Sequence, residues 1–416
     1  MRKLIQRFKN TPLGMLACDF KNFLVQAPTE VGRLERRFVS CKPNGRSIGN
    51  VLLCYNNHAF VVKPDDPSLF SHTNRWESLQ IARTFLDLGY RVDVINENND
   101  RFIPTKRYTL FVGNRINFER ISRLLNPDCV KILHIDTSHW LFNNMAEGRR
   151  LELLKKRRGC VLSQRRMLRP NAAIEHADYA TILGTESTMN TYRYAGKPLF
   201  PIPISTPVLY PWQDDKDFNS VRRRFLWFGS EGCVHKGLDL VLEAFTQMPD
   251  YQLIVCGPIR GERDFESEYY NELYNTPNIR LAGFVDVRRP EFLETAKSCI
   301  GFIYPSCSEG QSGAVVTCMH TGLIPIISSE SGVNVDGFGH VLETCSVDAI
   351  KDSARAVSML SVNEISARAR KTWEYARATH TRDQFAKVYA QSISEIMALE
   401  NKKEQAQNEP VAAGAR

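Results

Sequence analysis

Short apolar runs of strand length alternate with amphipathic stretches of helix length along almost the whole chain, and segment 205–222, with Pro207 and Pro211, interrupts them. Strand-to-strand crossovers of that length specify parallel sheets with helices on both faces. In the first half, Gly49–Tyr55, Arg91–Ile95, Tyr108–Val112, Val130–Ile135, Tyr179–Leu183 and Leu199–Ile204 read as strands. Trp76–Leu88 and the stretch 117–125 read as helices. The second half restarts with strands at Phe225–Phe228, Tyr251–Cys256, Ile279–Ala282, Cys299–Tyr304 and Leu323–Ile327. Helices are expected at Leu238–Met248, Pro290–Ser298, near Ala314, and over 347–360, 362–378 and 381–400. A chain of 416 residues exceeds one ordinary core, so the break reads as a linker between two domains.

The expected division is an arm over 1–46, a first domain over 47–205, a linker over 206–222, a second domain over 223–380, a C-terminal helix over 381–400 and a disordered tail over 401–416. No apolar run reaches the ~20 residues that a membrane-spanning helix needs. No signal-peptide core follows the basic start, so the expected location is the cytoplasm. The 11 cysteines are scattered without a C-x-x-C pair, which suits reduced core thiols better than a zinc site. Stretch 149–169 holds nine Lys and Arg against Glu152, a surplus equal to the whole chain's net +8. Such a run reads as a solvated helix face or as a contact for an anionic surface. It comes without a nucleic-acid recognition motif, so no nucleic-acid partner is expected.

In open parallel sheets ligands bind beyond the carboxyl ends of the strands, so the loops after strands carry the candidate chemistry. After Tyr304 the chain reads P-S-C-S-E-G-Q-S-G. Glu309 can accept hydrogen bonds from sugar hydroxyls, while Gly310, Ser312 and Gly313 open a helix whose free N–H groups favour a phosphate. After Phe228 the chain reads G-S-E-G-C-V-H-K-G, which places Lys236 just before a helix, where it can neutralise a diphosphate.

These residues resemble the nucleotide-binding domain of the family 4 retaining glycosyltransferases. The likeness rests on Gly229, Lys236-Gly237, Pro305-Ser306, Glu309-Gly310 and Gly322-Leu323-Ile324-Pro325, over about residues 224–330. It implies a GT-B fold: two Rossmann-like α/β domains facing across a cleft, with the C-terminal helix crossing back to the first. It also implies transfer of a sugar, without a metal, from a nucleotide diphosphate sugar to a glycan or lipid-linked acceptor, with retention, in cell-surface polysaccharide synthesis.

By the same resemblance Lys236, Glu309 and His139 are the catalytic candidates. Gly229, Ser230, Gly257, Phe284, Gly310, Ser312, Gly313 and Thr317 would line the donor, and Arg75 and Glu77 the acceptor. Two positions depart from the pattern. Ser230 stands where the family often has a diphosphate-binding arginine. Thr317 stands where it has a second glutamate for the ribose. Acceptors of this kind sit at membranes, which gives stretch 149–169 an anionic inner leaflet as expected partner. A binding-only homologue and a sugar-nucleotide epimerase are the alternatives.

Overall fold

The structure, a computed structural model, describes residues 35–63, 66–70 and 72–408. The first sheet has strands β1 (Val39–Cys41), β2 (Asn50–Tyr55), β3 (Arg91–Asn96), β4 (Leu110–Gly113), β5 (Val130–Ile135), β6 (Tyr179–Leu183) and β7 (Leu199–Ile202). Their order across the sheet is β1-β3-β2-β4-β5-β6-β7, parallel except for β1. The second sheet has β8 (Arg224–Phe228), β9 (Gln252–Cys256), β10 (Ile279–Gly283), β11 (Gly301–Tyr304), β12 (Ile324–Ser328) and β13 (His340–Leu342). Its order is β10-β9-β8-β11-β12-β13, all parallel. Central strands such as Asn50–Tyr55 are buried on both faces, which is why their sequences run apolar without alternating. Strand order reverses at β2 in one sheet and β8 in the other, and crevices open beyond such points.

The principal helices are α1 (Thr73–Asp87), α2 (Trp140–Arg158), α3 (Leu238–Thr246), α4 (Pro290–Lys297), α5 (Gly313–Met319), α6 (Val347–Met359), α7 (Val362–Thr379) and α8 (Arg382–Asn408). Helix α8 crosses back onto the first domain. Phe385 packs edge-on to Trp76, Tyr389 stacks on Phe385 and meets His134 of β5, and Tyr90 donates to Met397 Sδ. His380 hinges this crossing: its carbonyl accepts from His320 of the second domain at 2.9 Å, and its Nδ1 meets the Ile204 carbonyl of the first at 3.3 Å.

Two boundary expectations need correction. The range read as an arm contributes β1, too short to show alternation, which pairs antiparallel with β3; residues 1–34 lie outside the described ones. Helix α8 runs on to Asn408, through the start of the range read as a disordered tail; residues 409–416 are not described.

The basic stretch 149–169 is also corrected. Much of it is not a free face but a seam to the second domain. Arg150 is buried and donates to the Pro305 carbonyl at 3.0 Å. Arg157 pairs with Asp239 at 2.6 Å and Glu243 at 3.0 Å, and Arg158 with Glu268 at 2.9 Å and Glu272 at 2.6 Å. Arg165 pairs with Asp264. Acidic partners more than 80 positions away are invisible to a local charge count, so the surplus looked unpaired.

Candidate active site

The carboxyl ends of the two sheets face each other across a cleft of about 670 Å³. Tyr55, His72, Glu77, Arg115, Asp136 and Arg166 line it from the first domain. Gly229, Ser230, Lys236, Phe284, Glu309 and Thr317 line it from the second.

Glu309 and Lys236 meet in the cleft. Strand β11 ends at Tyr304, and the turn after it carries the Glu309 carboxylate to 3.0 Å from Lys236 Nζ. Tyr304 Oη donates to the same Oε1 at 2.9 Å and Ser306 Oγ at 3.2 Å. Burial opposes the charge on Glu309, but Lys236 beside it wins and holds the pKa down at about 2. The carboxylate is therefore ionised at neutral pH. It accepts hydrogen bonds and holds no proton to give.

The turn is wedged between domains. Ser138 Oγ donates to the Glu309 carbonyl at 2.6 Å and Thr188 Oγ1 to the Gly310 carbonyl at 2.9 Å. Gly310 is required there, because a Cβ would stand 2.5 Å from the Asp136 carbonyl oxygen. Gly229 and Gly257 serve a similar close approach: a Cβ on Gly257 would stand 2.5 Å from the Gly229 carbonyl oxygen.

The remaining residues expected to line the donor differ in what they offer. Phe284 lines the cleft with 77% of its surface exposed. Ser312 does not offer its N–H as expected, since that group donates to the Ser331 carbonyl at 3.0 Å; its side chain caps Val315. The N–H groups of Gly313 and Ala314 have no intrahelical acceptor, as in any first turn. Thr317 lines the cleft, and its hydroxyl donates to the Gly313 carbonyl at 2.7 Å.

His139 is displaced from its expected place. It precedes α2, is not among the residues lining the cleft, and packs against Trp140, Tyr192 and Tyr194, with Nε2 3.1 Å from Tyr194 Oη. Burial lowers its pKa. Asp136, one residue beyond β5, faces the cleft instead, ion-paired with Arg115. The rule that selected His139, the carboxyl end of a strand, applies even better to Asp136.

Of the two residues expected to face the acceptor, Glu77 lines the cleft, but Arg75 turns away to donate to the Ser68 carbonyl. Glu77 accepts from the Ser205 N–H at 2.9 Å and Oγ at 2.8 Å, and burial raises its pKa to about 7. Among the described residues no group of His, Cys, Asp and Glu has metal-site geometry, and no helix is long and apolar enough to cross a membrane.

Residues 218–377 match the family of glycosyl transferases group 1. The second domain is a group 1 glycosyl transferase domain. The whole chain has the GT-B fold, as its solved neighbours do. Sucrose-phosphate synthase from Thermosynechococcus elongatus superposes with a TM-score of 0.59 at 15% identity, covering 84% of this chain and 100% of that one. Anabaena Alr3699/HepE, solved with UDP and glucose, gives 0.52 at 12% identity over 84% and 99%. The α,α-trehalose 6-phosphate synthase of Burkholderia multivorans gives 0.50 at 11% over 74% and 73%. None of the curated proteins matches the chain in sequence.

Proposed function

We propose that this glycosyl transferase moves a sugar from a nucleoside diphosphate sugar to a hydroxyl of a glycan or lipid-linked acceptor, with retention at the anomeric carbon. The Lys236–Glu309 pair at the carboxyl end of the second sheet, facing the first domain, carries the reading. The sugar–phosphate bond breaks while the acceptor oxygen bonds the anomeric carbon from the same face, and the acceptor proton passes to the departing diphosphate. Lys236 stabilises the charge that grows on that diphosphate, in a site already organised before reaction. The Glu309 oxygen not bound by Lys236 accepts from sugar hydroxyls. Phe284 offers a face for the base. HepE shares the fold and was solved with UDP and glucose, so uridine diphosphate sugars are the first donors to test.

For the acceptor, Asp136 and Glu77 line the first-domain wall of the cleft. A second groove of about 680 Å³ shares Arg115 and Leu168 with the cleft and continues past Arg120 and Arg169, a path for an extended acceptor. The outer face of α2 exposes Leu141, Phe142 and Met145 with Arg149 and Lys155, which supports peripheral membrane docking from the cytoplasm in polysaccharide synthesis. Co-sedimentation with anionic vesicles at low salt tests that part, and a protein left in the supernatant refutes it.

Release of nucleoside diphosphate from a donor panel tests the reaction. Lys236→Ala should lower turnover by about two orders of magnitude, the cost of losing one such stabilising group. The binding-only alternative draws on Thr317, whose hydroxyl is already engaged. Nucleotide binding without product would establish it.

A further inference from the structure

We infer that Arg166, a residue of the first domain, is the second cation on the donor's diphosphate, so that the donor itself bridges the two domains. The inference rests on the donor reading above and extends it to the opposite wall of the cleft.

The charges facing the cleft single Arg166 out. Lys236 is already engaged by Glu309 at 3.0 Å. Arg115 is engaged by Asp136 and Arg288 by Asp286. Arg166 lines the same cleft and, among the described residues, its side chain makes no ion pair. A departing nucleoside diphosphate spreads charge over two phosphates, and one half-neutralised lysine matches it poorly. A guanidinium offers the paired donors that bind phosphate oxygens bidentately. The turn after β8 supplies no second cation of its own, since the residue after Gly229 is Ser230.

Placement makes the match specific. The backbone of Arg166 is fastened to α2: its N–H donates to Glu147 at 3.0 Å and its carbonyl accepts from Asn143 Nδ2 at 2.7 Å. From there the side chain crosses to the second domain and lies over Gly232. A Cβ at Gly232 would stand 2.7 Å from Arg166 Cγ, and φ there is +96°. That glycine belongs to the turn that carries Ser230 and Lys236. Its N–H and that of Cys233 are tied to the Glu262 carboxylate, so the surface under the arginine is fixed. The charge is close enough to help hold Glu309 ionised and to act on Tyr304, His235 and His72.

The test is calorimetric titration of UDP, GDP and ADP, each beside its monophosphate, into the full chain and into Arg166→Ala, Gly232→Ala and Lys236→Ala. Arg166→Ala should weaken the bound diphosphate by about tenfold, or 1.4 kcal/mol, and leave the monophosphate within about twofold. Gly232→Ala, which evicts the arginine stem and also strains the turn at φ +96°, should weaken the diphosphate at least as much. The Arg166 side chain is exposed, so Arg166→Ala should fold with only a small loss of melting temperature. If Lys236→Ala weakens the diphosphate and Arg166→Ala does not, the bridging role is wrong while the donor site stands. An equal loss for monophosphate and diphosphate also overturns it. If the unaltered protein binds no nucleoside diphosphate, the donor reading fails and this inference with it.

Discussion

Glu309 and Glu77 line opposite walls of the cleft, and their surroundings drive them in opposite directions. Glu309 titrates at about 2 when folded, against 4.5 ordinarily. Its contribution to stability is complete above 4.5 and is lost as pH falls toward 2. Glu77 titrates at about 7 because burial disfavours its charge. The folded state then holds a proton that the unfolded chain has lost, so stability falls as pH rises from about 4.5 to about 7. Glu97, also raised to about 7 by burial, adds to the same decline. Melting temperature against pH should therefore fall between about 5 and 7.5, and Glu77→Gln should flatten part of that fall, recovering on the order of 2 kcal/mol at the upper end. A second residue-scale prediction concerns Gly310. Gly310→Ala forces the donor turn off the Asp136 carbonyl, and turnover should drop about tenfold or more with only a small loss of melting temperature. Lys236 and Glu309 were legible in the sequence because each stands at a fixed offset from a strand end. Arg166 was not, since an arginine in a basic run carries no sign of which charges it will face.

At the scale of elements, the long parallel strands and the helices α1, α3 and α6 were legible from apolar runs and their stops. The short strands β1 and β13 were not, because three residues cannot show a period. Helix α2 was hidden by its own charge: its buried residues are Asn143, Glu147, Arg150 and Leu154, so the face that packs is mostly polar. Its polar members are satisfied by hydrogen-bond partners, with Glu147 accepting from the Arg165 N–H at 2.8 Å, while Leu154 packs into the core of the second domain. Helix α8 works the other way, through aromatic packing. Tyr389 is fully buried between Phe385 and His134. Tyr389→Ala should cost about 3–4 kcal/mol, read as a lower denaturant midpoint, and should loosen hydrogen-exchange protection in β5 as well as in α8.

On the scale of the whole molecule, the proposed donor site draws on the second domain, and the first covers it. The closure is partly apolar, with Leu151, Leu154 and Leu162 packed against the core of the second domain. Its polar part consists of the Arg157, Arg158 and Arg165 ion pairs, the Ser138 and Thr188 hydrogen bonds onto the Glu309 turn, and the arginine lying over Gly232. Exposed parts of such a seam are screened by salt. Arg157→Ala strips the partner from Asp239, which is fully buried, and should both destabilise the protein and open the domains in solution scattering. In the proposed reaction the closed cleft holds a nucleoside diphosphate sugar between Lys236, Glu309 and the first domain. The most direct test of this is a thermal-shift panel of nucleotide sugars on the unaltered chain and on Lys236→Ala. At 100 times its dissociation constant one donor should stabilise the unaltered chain by about 2.7 kcal/mol and the variant far less. A panel in which no nucleotide sugar shifts the unaltered chain would contradict the account.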